Sequence, residues 1–220
     1  MKDSKHDNKN KYPKIIDCGI TDFSCTLKQQ QQYVSQRREH KIPDTVLILE
    51  HNPVITLGAR QSANILMTDP CTLTQQGIDL IQIRRGGGIT AHNPGQIVFY
   101  PILNLKALNL DITEYIRTLE RIGIELLQGL SVNAAQKKGF PGLWVGTRKI
   151  ASIGVRVSRQ ITFHGMAINI QNNLHIFDYF VPCGLNGVEM TSVKKETDQE
   201  YSMTDIKKQL TNIIKRHLSR

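Results

Sequence analysis

Residues 139–170 constrain the fold more than any other part of the chain. They read GFPGLWVGTRKIASIGVRVSRQITFHGMAINI. Gly139–Val145, Arg148–Val157 and Ile161–Ile170 form three successive strand patterns. Only Gly146-Thr147 and Ser158-Arg159-Gln160 separate them. Links this short join antiparallel neighbours, because a parallel pair needs a long crossover. Any fold of this chain must therefore contain an antiparallel meander.

The flanking segments add helices. Tyr12–Ile20 reads as a first strand. Thr21 and Asp22 then offer N-caps for a polar helix reaching about Arg38. Thr45–Glu50 and Val54–Leu57 are apolar strands on either side of the turn signal His51-Asn52-Pro53. Pro70–Gln76 suits a short helix, and Ile78–Ile83 and Gln96–Leu103 suit strands. Asp111–Leu130 is the clearest helix, with Ile112, Tyr115, Ile116, Leu119, Ile122, Leu126 and Leu127 at helical spacing. A last helix covers about Thr204–Leu218. The pattern predicts a single α+β domain over 13–220, with helices packed against a largely antiparallel sheet. A basic leader, 1–12, is expected to be disordered.

The chain has 220 residues and a formal charge of +9. Residues 1–14 and 194–220 each carry +3 of it. Charge of this kind suits an acidic protein, nucleic acid or an anionic membrane, or simply a solvated surface. No apolar run approaches the roughly 20 residues of a membrane helix. The N-terminus lacks the apolar core of an export signal, so a reducing, cytoplasmic location is expected. The four cysteines form no metal-ligand cluster and are expected to be free thiols.

Three segments bear on chemistry. Cys183 lies in Phe180-Val181-Pro182-Cys183-Gly184-Leu185, where Pro182 fixes the backbone before it and Gly184 frees it after. That setting suits a thiol at a pocket rim, although a structural thiol fits the residue type as well. Lys149 follows a tight turn and reads, alone, as a solvated charge. The small residues of Ser152-Ile153-Gly154 nearby mark a strand that a ligand or another backbone approaches. Arg84-Arg85-Gly86-Gly87-Gly88 lacks the Lys-Ser/Thr ending of a phosphate loop. Its glycines instead let a substrate lie against the main chain, with His92 and Gln96 as polar neighbours.

Taken together, RGGGITAHNPGQIVFYPI, GLWVGTRKIASIGVRVSRQITFHGMAINI and FDYFVPCGL resemble the lipoyl(octanoyl) transferases, in that order. The resemblance runs from about Glu50 to Ser192. It implies the biotin/lipoate protein ligase fold and an octanoyltransferase of lipoate biosynthesis. Octanoate would pass from acyl carrier protein to a lysine of lipoyl domains, in 2-oxoacid dehydrogenase complexes and the glycine cleavage H protein. The resemblance assigns Cys183 as acyl-thioester nucleophile and Lys149 as the group that lowers its pKa. It assigns substrate binding to Arg85, Gly86, Gly87, Gly88, Ile89, Thr90, Ala91 and His92, to Ser152, Ile153 and Gly154, and to Gly165, Met166 and Ala167. No cofactor, metal, nucleic acid or membrane is implied. Burying an eight-carbon tail would supply roughly 5 kcal/mol, at about 0.8 kcal/mol per methylene. Small residues such as Gly154, Gly165 and Ala167 are expected to leave room for it, with Ile153 and Met166 lining it.

The chain departs from the family's loop. Gly88 stands where members carry an acidic or amide residue, Ala91 where they carry an aromatic, and Asn93 where they carry glycine. The small Ala91 leads to the expectation of a wider acyl pocket. Three other readings remain at this stage. One is an ATP-dependent lipoate or biotin ligase on the same fold, which would not need Cys183. Another is a non-catalytic, basic nucleic-acid-binding module, supported by charge alone. The third is a cysteine hydrolase, which would need His92 or His164 beside Cys183.

Overall fold

A computed structural model describes residues 11–182 and 187–219. Cys183 falls outside the described residues, as does most of the leader. The described residues form ten strands and five α-helices, running β1 (Lys14–Thr21), α1 (Phe23–Arg38), β2 (Thr45–His51), β3 (Val54–Leu57), α2 (Pro70–Gln75), β4 (Asp79–Gln82), β5 (Thr90–His92) and β6 (Gln96–Ile102). They continue as α3 (Ile112–Gly129), β7 (Ala135–Lys137), β8 (Phe140–Val145), β9 (Arg148–Ser158), β10 (Ile161–Asn169), α4 (Val193–Thr197) and α5 (Met203–His217). Asp22 and Asp111 cap α1 and α3, their side chains accepting from Cys25 N and Glu114 N.

The meander forms as the short turns require. β8, β9 and β10 are antiparallel neighbours in a seven-stranded sheet of order β1-β2-β6-β10-β9-β8-β7. Among the named strands of that sheet only β1 and β2 pair in parallel. This is the α+β arrangement expected. β2 and β6 are neighbouring interior strands and are buried throughout. Their residues alternate between two cores. Val46, Ile48, Ile97 and Phe99 pack with Tyr115, Leu119, Ile122 and Leu126 of α3 and with Leu210 and Ile214 of α5. Leu47, Leu49, Val98 and Tyr100 point the other way, to Val34 of α1. A strand buried on both faces reads as a continuous apolar run, which is why Thr45–Glu50 shows no alternation.

The turn at Asn52-Pro53 does not make a hairpin. It hands the chain from the large sheet to a second, three-stranded sheet of order β4-β3-β5. The glycine loop joins β4 to β5 and is tied to the large sheet, Gly86 N donating to Val155 O at 3.0 Å. Strands β5 and β7 and helix α4 carry no signal in the sequence pattern. Each is five residues or shorter, too short to establish a period. Among the described residues no helix is long and apolar enough to cross a membrane.

Candidate active site

The glycine loop is shaped by Arg85. Its side chain is buried and turns back on the loop. Nη1 donates to Gly88 O at 2.7 Å and Gly86 O at 3.0 Å. Nη2 donates to Thr56 O at 2.9 Å and Thr56 Oγ1 at 2.8 Å. The loop is thus folded around a guanidinium and clamped to β3. Close packing requires its glycines: a Cβ at Gly88 would stand 2.5 Å from Ala63 Cβ and Ala63 O. The amides of Gly87 and Gly88 make no hydrogen bond among the described residues, and both glycines line the cleft beside them.

That cleft encloses about 480 Å³, mouth included. Of the residues assigned to substrate, Arg85, Gly87, Gly88, Ile89, Thr90, His92, Ser152, Ile153, Gly154, Gly165, Met166 and Ala167 line it. Gly86 lies in an adjoining cleft of about 810 Å³, which shares Gly87, Gly88, Ile153 and Gly154 with the first and holds Lys149 and Arg60. Ala91 lines neither. Strand alternation sends Thr90 and His92 to the cleft and Ala91 to the opposite side. There it packs in a core with Ile55, Leu73, Phe177 and Phe180. The expected widening of the pocket by Ala91 therefore does not follow. Ala91→Tyr is expected to overpack this core and lower stability by about 1–3 kcal/mol. Urea denaturation checks it, and a fully stable variant with altered acyl preference would restore the original expectation.

Two of the small residues that line the cleft also relieve contacts within the protein. A Cβ on Gly154 would stand 2.9 Å from Arg85 Cδ, and one on Gly165 would run into Phe99 O. Both glycines thus make room for the protein itself. Met166 reaches the cleft, yet its thioether end packs against Gly123 of α3. Asn93 is held in a buried amide network, donating to Asn173 O and accepting from Asn172 Nδ2.

Lys149 is 3% exposed, which corrects its first reading as a solvated charge. A register shift between β8 and β9 sets it opposite Trp144. Its backbone is bracketed by the chain just past position 186. Lys149 N donates to Glu189 O and Thr191 N donates to Lys149 O, both at 2.9 Å. On the other side of 183–186, Val181 N donates to Ile65 O at 2.9 Å. Both flanks of the Cys183 segment are therefore fixed, one of them to the strand that carries Lys149.

A hydrogen-bond chain links this strand to the glycine loop. Asn169 Nδ2 donates to Thr191 O, and Gln96 Nε2 donates to Asn169 Oδ1. Gln96 Oε1 must then be the acceptor for His92 Nδ1 at 2.7 Å. The His92 Nδ1 carries the proton, and neutral His92 keeps a lone pair on Nε2.

The α1 end of the cleft holds residues that the sequence reading did not assign to it: Phe23, Val98 and Tyr100, with His164. His51 lies behind them, fully buried. Its Nδ1 faces the Thr21 carbonyl and must donate, so Tyr100 Oη donates to His51 Nε2 at 2.8 Å. His164 sits at φ +56°, its amide donating to Gln30 Oε1 of α1 at 2.8 Å. Burial pushes His51 down to about 4 and His164 down to about 3, and holds His92 well below the usual imidazole range. Pattern reasoning had no signal for this group, because four separate elements bring it together.

A pH dependence follows. The folded state keeps these imidazoles neutral while the unfolded chain protonates them below about 6.5. Their contribution is fully present above that pH and is lost as pH falls towards 4. Each histidine is expected to lower stability as pH falls through that window, because the unfolded chain takes up the proton that the buried imidazole does not. Urea midpoints measured between pH 7 and 4 check this; a flat profile would show that the imidazoles are not held neutral.

Comparison with known proteins supplies the family to which this fold and cleft belong. The model of the lipoyl protein ligase A/B catalytic domain matches residues 22–215. The octanoyltransferase LIP2, mitochondrial, of Arabidopsis thaliana is 43% identical over 181 residues, covering 82% of this chain and 77% of the relative. The octanoyltransferase of Syntrophobacter fumaroxidans is 35% identical, covering 94% and 90%. The structure of a lipoate protein ligase of Thermoplasma acidophilum with bound lipoic acid superposes with a TM-score of 0.71 at 15% identity, covering 94% of this chain and 86% of that one. A biotin protein ligase of Aquifex aeolicus follows at 0.53 and 11%, covering 94% and 69%. The chain belongs to the lipoyl protein ligase A/B catalytic-domain family. Within it, the chain is a transferase.

Proposed function

We propose that this protein is an octanoyltransferase of lipoate biosynthesis, taking octanoate from acyl carrier protein and attaching it to a lysine of lipoyl domains through a thioester on Cys183. The observation that carries this reading is the position of Lys149. It is buried beside the glycine loop and strand-paired to Glu189–Thr191, directly after the segment that holds Cys183. The names of the relatives supply octanoyl as the group. A reducing, cytoplasmic location belongs to the same reading, and Cys18, Cys25 and Cys71 are free thiols.

The chemistry is two thioester-level steps. The Cys183 thiolate attacks the carbonyl of the donor thioester. The carrier's C–S bond breaks, and Lys149 gives the departing sulfur its proton. A neutral amine of the acceptor then attacks the Cys183 thioester and forms the C–N bond. Lys149 takes the amine proton, and Cys183 leaves as thiolate. The amides of Gly87 and Gly88, with no partner among the described residues, are suited to hold the oxyanion. The exchange between thioesters is close to isoenergetic and requires no ATP.

Steady-state kinetics with octanoyl-acyl carrier protein and a lipoyl domain are expected to be ping-pong, with no ATP requirement. Acylation of the lipoyl domain from free octanoate only when ATP is present would overturn this reading in favour of a ligase.

A further inference from the structure

Trp144 is the only tryptophan in the chain. It is buried, and its indole N–H donates to Phe140 O at 3.3 Å, which fixes the ring. The register shift between β8 and β9 pairs it with Lys149, whose Nζ lies 5.5 Å from the ring centroid. That is within the range in which an aromatic face attracts an ammonium, and the attraction does not extend to a neutral amine. Gly142, two residues before Trp144, keeps the path clear. A Cβ there, at φ +121°, would run into Ala151 O and stand 2.9 Å from Lys149 Cε. Lys137 Nζ lies over the same indole at 4.6 Å. Arg148, the other nearby cation on β9, is paired with Glu196. The indole therefore serves two ammonium groups, one from the edge strand β7 and one from the cleft.

We propose that Trp144 is the positioning residue of Lys149: its ring face, reached over Gly142, holds the ammonium at the cleft wall. This rests on the Cys183–Lys149 reading above. It adds that the charge of Lys149 is sensed by the indole.

The test measures Cys183 alkylation by iodoacetamide against pH in the full chain, with Cys18, Cys25 and Cys71 replaced by serine. Trp144→Leu is expected to slow alkylation at pH 7 by about two- to fivefold, the size of one cation–π contact. Trp144→Phe, which keeps a ring, is expected to restore most of the rate. Lys149→Met is expected to slow alkylation at least as much. A wild-type profile in Lys149→Met would overturn the Cys183–Lys149 reading itself, and this inference with it. A slow Lys149→Met beside a wild-type Trp144→Leu would overturn this inference alone, as would failure of Trp144→Phe to restore the rate. If Trp144→Leu does not fold, the single tryptophan decides through its emission. Octanoylation is expected to change the emission of the wild type and to leave that of Lys149→Met unchanged. Equal responses in both chains would overturn the inference.

Discussion

Intact-mass analysis after incubation with octanoyl-acyl carrier protein is expected to find one octanoyl adduct on the wild-type chain and none on Cys183→Ser. The transfer rate of that variant should fall by about 10⁴-fold or more, the usual cost of removing a covalent nucleophile. The reason is the acidity of the two groups. A free thiol near pKa ~8.5 is a few per cent thiolate at neutral pH, and a nearby ammonium raises that fraction. A serine hydroxyl stays protonated and gains little from the same ammonium. The other cysteines do not complicate the result. Cys25 and Cys71 are exposed on helices α1 and α2, and Cys18 lies on strand β1; none lines the two clefts. An adduct retained on Cys183→Ser, or absent from the wild type, would remove the thioester from the mechanism.

The second large effect is expected at Arg85. Arg85→Met keeps much of the volume and removes four hydrogen bonds to Gly86, Gly88 and Thr56. Buried carbonyls left without donors cost about 1–3 kcal/mol each, and the losses overlap. A total of about 3–5 kcal/mol is therefore expected. For a chain of this size that lowers Tm by about 10 °C. Activity should fall with it, because the loop that lines both clefts loses its clamp. The two readings of Arg85 separate here. A residue that only bound substrate would raise KM and leave Tm unchanged. Loss of both together is the signature of a guanidinium that builds the loop.

Much of the fold was legible because it rests on local rules. Short turns dictated the meander, Thr21 and Asp22 marked the start of α1, and the 3.6-residue period drew α3. The strands β5 and β7 were not legible because a three-residue strand has no period and exists only through its neighbours. The segments of the candidate site were legible as motifs, but not what each residue does within them. Arg85 is assigned to substrate from its place in the loop, and nothing in that pattern shows that its guanidinium also clamps its own chain at Gly86, Gly88 and Thr56. Ala91 looked like pocket wall. One step of strand alternation puts it in a different core. The register shift at Trp144 and the crossing of α1 over Tyr100 and His164 leave no trace in the linear pattern.

The sequence by itself determined an antiparallel meander flanked by helices, and a family that handles acyl groups. It placed Lys149, Cys183, the glycine loop and the two small-residue segments in one chain, with no means of showing that they meet. Only the tertiary structure decided that Lys149 is buried, that it faces Trp144, and that Glu189–Thr191, just after the Cys183 segment, is hydrogen-bonded to its backbone. The reason is physical. Turns, caps and helical periods are set by neighbours a few residues apart. Burial, charge environment and the direction of a side chain are set by contacts between strands and helices dozens of residues apart.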